Sequence, residues 1–319
     1  MKQKKQPSIT RRKFIKSSFV LGTSAALSSY PVKLFSSEIS GTKIQIIPDL
    51  KNPYGIAVSR SGLIYIADSG NYCIKIFNSN GEFLKKIGGP GSKGTGLNFP
   101  QGIAVDDNGD IYVVDSNNGR IAIFNTGGEL KGSIGTIGGY PGAFYTPKGI
   151  FLHRDGRIYV ANTRNHIIYV FDKSTRKLLQ SYGLLGEDPA GLKKGSMEYR
   201  FRLPTDIAIA SNGNIYVLDS KHGKIKVLDN EGKFLFKFGE NGSEIGQLNS
   251  PEGIVLDSKQ DVYVCDTLNS RLQKFTADGK FLDDIDQGFA KPTGICIDAN
   301  DKIYIADSAN NVVKIFNWT

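Results

Sequence analysis

The sequence predicts an all-β chain, a six-bladed β-propeller of four-stranded antiparallel blades, and three observations carry that expectation. A pattern of Pro-x-Gly, an apolar run, a turn and then Ile-Tyr-Val-x-Asp-Ser recurs along the chain, with prolines at Pro53, Pro100, Pro147, Pro204, Pro251 and Pro292. The tyrosines Tyr65, Tyr112, Tyr159, Tyr216, Tyr263 and Tyr304 follow in step, both series advancing by 47, 47, 57, 47 and 41 residues. A fixed period of this length is the mark of a repeat architecture rather than of separate domains. Finally, the last copy stops at Phe316 without a fourth strand, while an unassigned apolar run, residues 43–47, precedes the first copy.

Each element of a copy has a local cause. Residues 102–115 read as two short strands joined at Asn108-Gly109, a dipeptide suited to the positive φ angles of a tight hairpin. Gly62, Gly156 and Gly213 mark the equivalent turns. A third strand such as residues 120–124 follows, then a turn at Gly128 and a fourth strand ending at Gly135. Four strands in every forty to fifty residues, with no helical periodicity, describe propeller blades. The run at 43–47 is expected to pair antiparallel with residues 312–316 as the outer strand of blade six. The closed ring that results removes an edge otherwise open to other chains.

Residues 238–275 show the repeat most fully: glycines through the leading loop, Pro-x-Gly-Ile, Tyr-Val-x-Asp and Asn-x-Arg before the third strand. In these features the chain resembles the NHL-repeat propellers, over about residues 42–317. The resemblance implies the fold and leaves the activity open, because propellers of this kind include lyases, hydrolase relatives, RNA binders and protein-interaction modules.

The first sixteen residues hold seven positive charges and no acid, and a short, weakly apolar stretch, 17–27, follows them. This is the layout of an export signal. Arg11 and Arg12 in TRRKFIK resemble the twin-arginine motif, so residues 1–37 are expected to be a signal segment and 38–319 the propeller. Periplasmic or secreted localisation follows, with the twin-arginine translocon as a partner in export, or membrane anchoring if the signal stays uncleaved. Of the formal charge of +9, seven lie in this segment and only +2 remains for the rest of the chain, which disfavours a nucleic-acid partner. Cys73, Cys265 and Cys296 form no CxxC pair and read as buried free thiols.

Asp219, Ser220 and His222 together have the residue types of a hydrolytic triad. Asp219, however, aligns with Asp68, Asp115, Asn162, Asp266 and Asp307, and Ser220 with Ser69, Ser116, Thr163, Thr267 and Ser308. A group present in every copy serves the blade, and Asp and Ser here are expected to bond to nearby backbone N–H groups and fix the turn into the third strand. His222 stands where the other copies have asparagine. His166 and His222 belong to one face and His153 to the opposite one. Three imidazoles therefore do not converge on a zinc of the kind that the amidating lyases of this superfamily use. No catalytic residue, metal or cofactor is assigned.

Function in a repeat protein is expected where copies differ. The loop before Pro204 is ten residues longer than usual, the loop before Pro147 is aromatic, and Asp206 replaces the glycine of Pro-x-Gly. These features place a candidate binding site on the loop face of blades three and four, at Tyr145, Lys148, Arg164, His166, Arg200, Arg202, Asp206 and His222. The residues after each proline (Tyr54, Gln101, Lys148, Thr205, Glu252, Thr293) vary too and are expected to rim the channel. A non-catalytic module for a protein, peptide or glycan is the favoured reading. The alternative is a lyase or lactonase-like propeller enzyme with its site at the channel mouth.

Overall fold

The computed structural model describes residues 35–39, 42–183, 197–286 and 288–318. Residues 1–34, with Arg11, Arg12 and most of the span expected to be a signal, and residues 184–196 of the long loop lie outside them.

Six antiparallel sheets stand around a central channel. Blade one is typical: Pro53–Val58, Ile64–Asp68, Cys73–Phe77 and Phe83–Ile87 pair in sequence order from the channel outward. The second strands are buried, along their whole length in Ile215–Asp219 and Val262–Asp266 and beyond the first residue in Arg157–Asn162 and Lys302–Asp307. The fourth strands alternate and carry much of the outer surface.

The apolar core is distributed over the six blade junctions. Ile74, Ile103 and Phe124 pack between blades one and two, and Ile168, Phe201 and Ile215 between blades three and four. The repeated tyrosines are each at most 4% exposed. The sixth junction is closed as expected: Thr42–Ile47 pairs antiparallel with Val312–Asn317, Gln45 opposite Ile315. Ile47 then packs against Ile56 and Ile66 of blade one. One strand was not expected. Phe35–Ile39 pairs with Thr42–Ile47 and makes blade six five-stranded, so pairing begins inside the span assigned to the signal.

Around the channel the blades touch through backbone. A Cβ on Gly55, Gly102, Gly253 or Gly294 would lie 2.0–2.3 Å from a carbonyl oxygen of the next blade. That contact explains the glycine of Pro-x-Gly better than any turn does. Blade four departs from it. The Asp206 carboxylate accepts the Ile254 N–H of blade five at 3.1 Å, and the Thr205 hydroxyl donates to the Pro251 carbonyl at 3.0 Å. Side chains here replace the direct backbone contact.

Just before five of the prolines the chain passes through the left-handed region at non-glycine residues: Asn52, Phe99, Thr146, Leu203 and Ser250, with φ of 46–56°. Such a conformation costs about 1–2 kcal/mol per residue. The repeated aspartate offsets it.

Candidate functional site

Asp68, Asp115, Asp219, Asp266 and Asp307 are fully buried. Their carboxylates accept nearby backbone N–H groups, as expected, but not those of the turn that follows. One oxygen instead accepts a backbone N–H from the leading loop, at Lys51, Asn98, Arg202, Asn249 and Lys291, over 2.6–2.8 Å. In the first four cases that N–H belongs to the residue immediately before the left-handed one, so the carboxylate pins the strained turn. The other oxygen takes an asparagine amide, from Asn71, Asn118, Asn269 or Asn310, and a cation, Lys75, Arg120, Lys226, Arg271 or Lys314.

His222 does the asparagine's work: its Nδ1 lies 2.8 Å from Asp219. Blade three solves the same problem without charge. Asn162 accepts the Tyr145 N–H at 2.8 Å and donates to the Ala143 carbonyl at 2.9 Å. The slots that hold cations in the other blades are Ile167 and Tyr169 here. A buried aspartate would have no counter-ion, so the amide is the consistent choice. The apparent triad at 219–222 is therefore a structural cage.

Two surfaces remain. The first is the channel, whose mouth is spanned by residues of alternate blades. Tyr54 of blade one donates its hydroxyl hydrogen to Glu252 of blade five, and Lys148 of blade three pairs with the same carboxylate at 2.9 Å. The Lys148 ammonium also lies 5.3 Å from the centre of the Tyr54 ring. Burial, reinforced by the Glu252 charge, pushes the Tyr54 phenol well above its usual range, so it stays a donor. Thr205 and Thr293 of the intervening blades turn their hydroxyls to the next blade's backbone instead. Asp206 sits one residue below this level and lines the cavity. Its carboxyl is pushed up to about 7, first by burial and further by Glu252, against the opposing hydrogen bonds from Ile254 and Ile207. Its side chain keeps some contact with channel solvent while protein surrounds it on all sides.

The second surface is the mouth face, formed by the leading loops and the turns between second and third strands. Tyr145 is 45% and Tyr140 57% exposed. The Arg164 guanidinium stands 5.7 Å over the Tyr145 ring. Arg200 and Arg202, in the loop before Pro204, and Lys221, in the turn after Asp219, are also exposed.

The eight sequence-selected residues thus divide. Tyr145, Arg164, Arg200 and Arg202 present exposed side chains. Lys148 and Asp206 belong to the channel. His166 accepts the Leu203 N–H on Nδ1 at 3.0 Å, tying blade three to the loop before Pro204, and His222 completes a cage. Tyr54 and Glu252 were left out of the selected set. Their position after the proline, where copies vary, was the signal for them. His153 sits in the turn after the first strand of blade three, 2.7 Å from Asp155. Among the described residues no three His, Cys, Asp or Glu gather in a way that could hold a metal ion. The three cysteines are unpaired, with Cys73 and Cys265 buried.

Five segments match the NHL repeat: residues 50–77, 97–124, 201–228, 248–275 and 289–316. They cover blades one, two, four, five and six. Blade three, with its neutral cage, lies outside the matches. A 57-residue stretch is 39% identical to Protein brain tumor of Drosophila melanogaster, spanning 18% of this chain and only 6% of that protein. In three dimensions the chain is similar to virginiamycin B lyase from Staphylococcus aureus, with a TM-score of 0.61, 16% identity, and coverage of 87% of this chain and 100% of that one. A gluconolactonase from Xanthomonas campestris gives a TM-score of 0.65 at 13% identity, covering 87% and 90%. At such identities the likeness is one of fold.

Proposed function

We propose that this six-bladed NHL-repeat propeller is an exported, non-catalytic binding module that docks a protein or peptide on its mouth face. One observation carries the proposal: the distribution of exposed large apolar side chains. Tyr72, Ile137, Tyr140, Tyr145, Ile245 and Leu268 all lie in leading loops or in turns between second and third strands. The remaining ones, Phe83, Leu84, Leu179, Leu235 and Leu282, lie on fourth strands, and none occupies the opposite face's turns among the described residues. A mouth face that displays aromatics beside arginines fits interface composition. The cations Arg164, Arg200, Arg202 and Lys221 favour a partner segment that is acidic.

Alanine at Tyr145, Arg164, Arg200 and Arg202 together should weaken binding of acidic, aromatic-containing peptides on an array at least ~10-fold, on hot-spot magnitudes. The fold should survive, since loops contribute little burial. Alanine at Arg60, His153 and Arg154 on the opposite face should leave binding unchanged. The reverse outcome would place the docking surface on the wrong side.

The export half of the proposal rests on the N-terminal sequence. Arg11→Lys with Arg12→Lys should hold the precursor in the cytoplasm in a fractionation assay, and undiminished export would remove the claim. Catalysis in the channel is the second reading. It draws on Asp206, whose carboxyl changes protonation close to neutral pH.

A further inference from the structure

Below the Tyr54–Lys148–Glu252 bridge the channel encloses a cavity of about 410 Å³, within the range of small-molecule sites. Its two ends differ in chemistry. At the mouth end are Tyr54, Thr205, Asp206 and Glu252. Four residues further along each first strand comes a ring of aliphatic side chains, one per blade: Val58, Val105, Leu152, Ile209, Leu256 and Ile297. All six are half-buried. Each packs in part against a blade-junction core and turns its remaining apolar surface to the cavity.

The charges at the polar end do not balance. Glu252 is served by both Lys148 and the Tyr54 hydroxyl. Asp206 receives only the backbone N–H groups of Ile207 and Ile254, and among the described residues no cation pairs with it. The other titratable groups facing this region are Glu252, the Tyr54 phenol, the buried Cys265 thiol and Lys148, whose positive charge is already paired with Glu252. At the level of the bridge, the Gln101 Oε1 is buried with no hydrogen-bond partner, on a residue only 7% exposed.

We propose that the channel is a binding site for a small amphiphilic amine, its ammonium at Asp206 and its apolar body against the aliphatic ring. A primary ammonium provides the missing charge and three donors for acceptors that the fold leaves short. A carboxylate ligand would add a third anion beside Asp206 and Glu252 and is opposed on the same grounds. The site is separate from the mouth-face docking surface and does not depend on it.

Proton linkage follows. The ammonium binds the ionised form of Asp206, whose carboxyl is pushed up to about 7. Affinity should therefore rise ~10-fold between pH 6 and pH 8, as the ionised fraction grows.

Isothermal titration of the purified full chain with C4–C8 alkylamines and 2-phenylethylamine, each against its matching alcohol and carboxylate, tests this. The expected result is that at least one amine binds, ~10-fold or more tighter than its alcohol, with the stated pH dependence. Asp206→Asn should abolish both the amine preference and the pH dependence. Asp206→Gly, which restores the residue of the other blades, should do the same and guards against misfolding of the first variant. Leu152→Phe should weaken every ligand by filling the cavity, while Arg200→Ala should change nothing here. No amine binding, alcohols bound as tightly as amines, or binding indifferent to both Asp206 variants would each overturn the proposal.

Discussion

Urea denaturation of Asp266→Ala should show an unfolding free energy lower than that of the unsubstituted chain by about 3–5 kcal/mol, the usual cost of stranding one member of a buried ion pair. Asp266 accepts four bonds: from the Asn249 N–H at 2.7 Å, Asn269 at 2.8 Å, Arg271 at 2.8 Å and Gln273 at 2.9 Å. Alanine removes all four bonds and leaves the largely buried Arg271 with only Asp284, 3.9 Å away, as an acidic partner. It also frees the loop N–H beside Ser250, so the left-handed turn loses its anchor. Blade three is the internal control. Asn162→Ala removes the same loop bond but strands no cation, and should cost about 1–3 kcal/mol, in the range for unmet buried donors. Equal losses at the two sites would show that charge compensation has little part in the cage.

Deleting residues 38–50 should remove most of the stability of the domain. The segment supplies Ile44, Ile47 and Leu50, exposed by 1%, 0% and 7%. It also supplies the backbone partner of Val312–Asn317. Losing a buried aliphatic side chain costs about 2–5 kcal/mol, and three of them approach the whole stability of an ordinary domain. The third strand of blade six would become an exposed edge, which invites pairing between chains. Size-exclusion chromatography should find aggregates, and circular dichroism a lost or strongly lowered thermal transition. A monomer melting within a few degrees of the intact chain would refute the closure argument.

The architecture was legible because each blade repeats one local solution, so the period, the prolines and the tyrosines reinforce one another. Closure was legible for a different reason: one strand was missing at one end and one was left over at the other. The aspartates were legible as structural but not in what they hold, because their partner lies upstream, across the loop. The spacing of 17 residues shared by blades one, two, four and five, as from Lys51 to Asp68 or Asn249 to Asp266, is visible in the sequence once the bond is known. Asn162 stood out as a broken position. The absence of Lys or Arg at the slots of Ile167 and Tyr169 was the signal that it is a neutral version of the same cage. The channel bridge was the least legible feature. Its members are 104 and 198 residues apart and share no pattern, so only the closing of the ring brings them together.

That bridge changes how the ring can come apart. In a linear array of repeats each unit feels only its neighbours, and the ends fray first. Here the ends are stitched into one sheet, and Tyr54, Lys148 and Glu252 link blades one, three and five directly. A blade that loosens must break two junctions and, if odd-numbered, a spoke of this hub as well. Partial opening is penalised from three directions at once, which favours all-or-none melting over sequential loss of blades. The polar residues over the channel thus act on the folding transition of the whole molecule, far beyond the few atoms that they bring into contact.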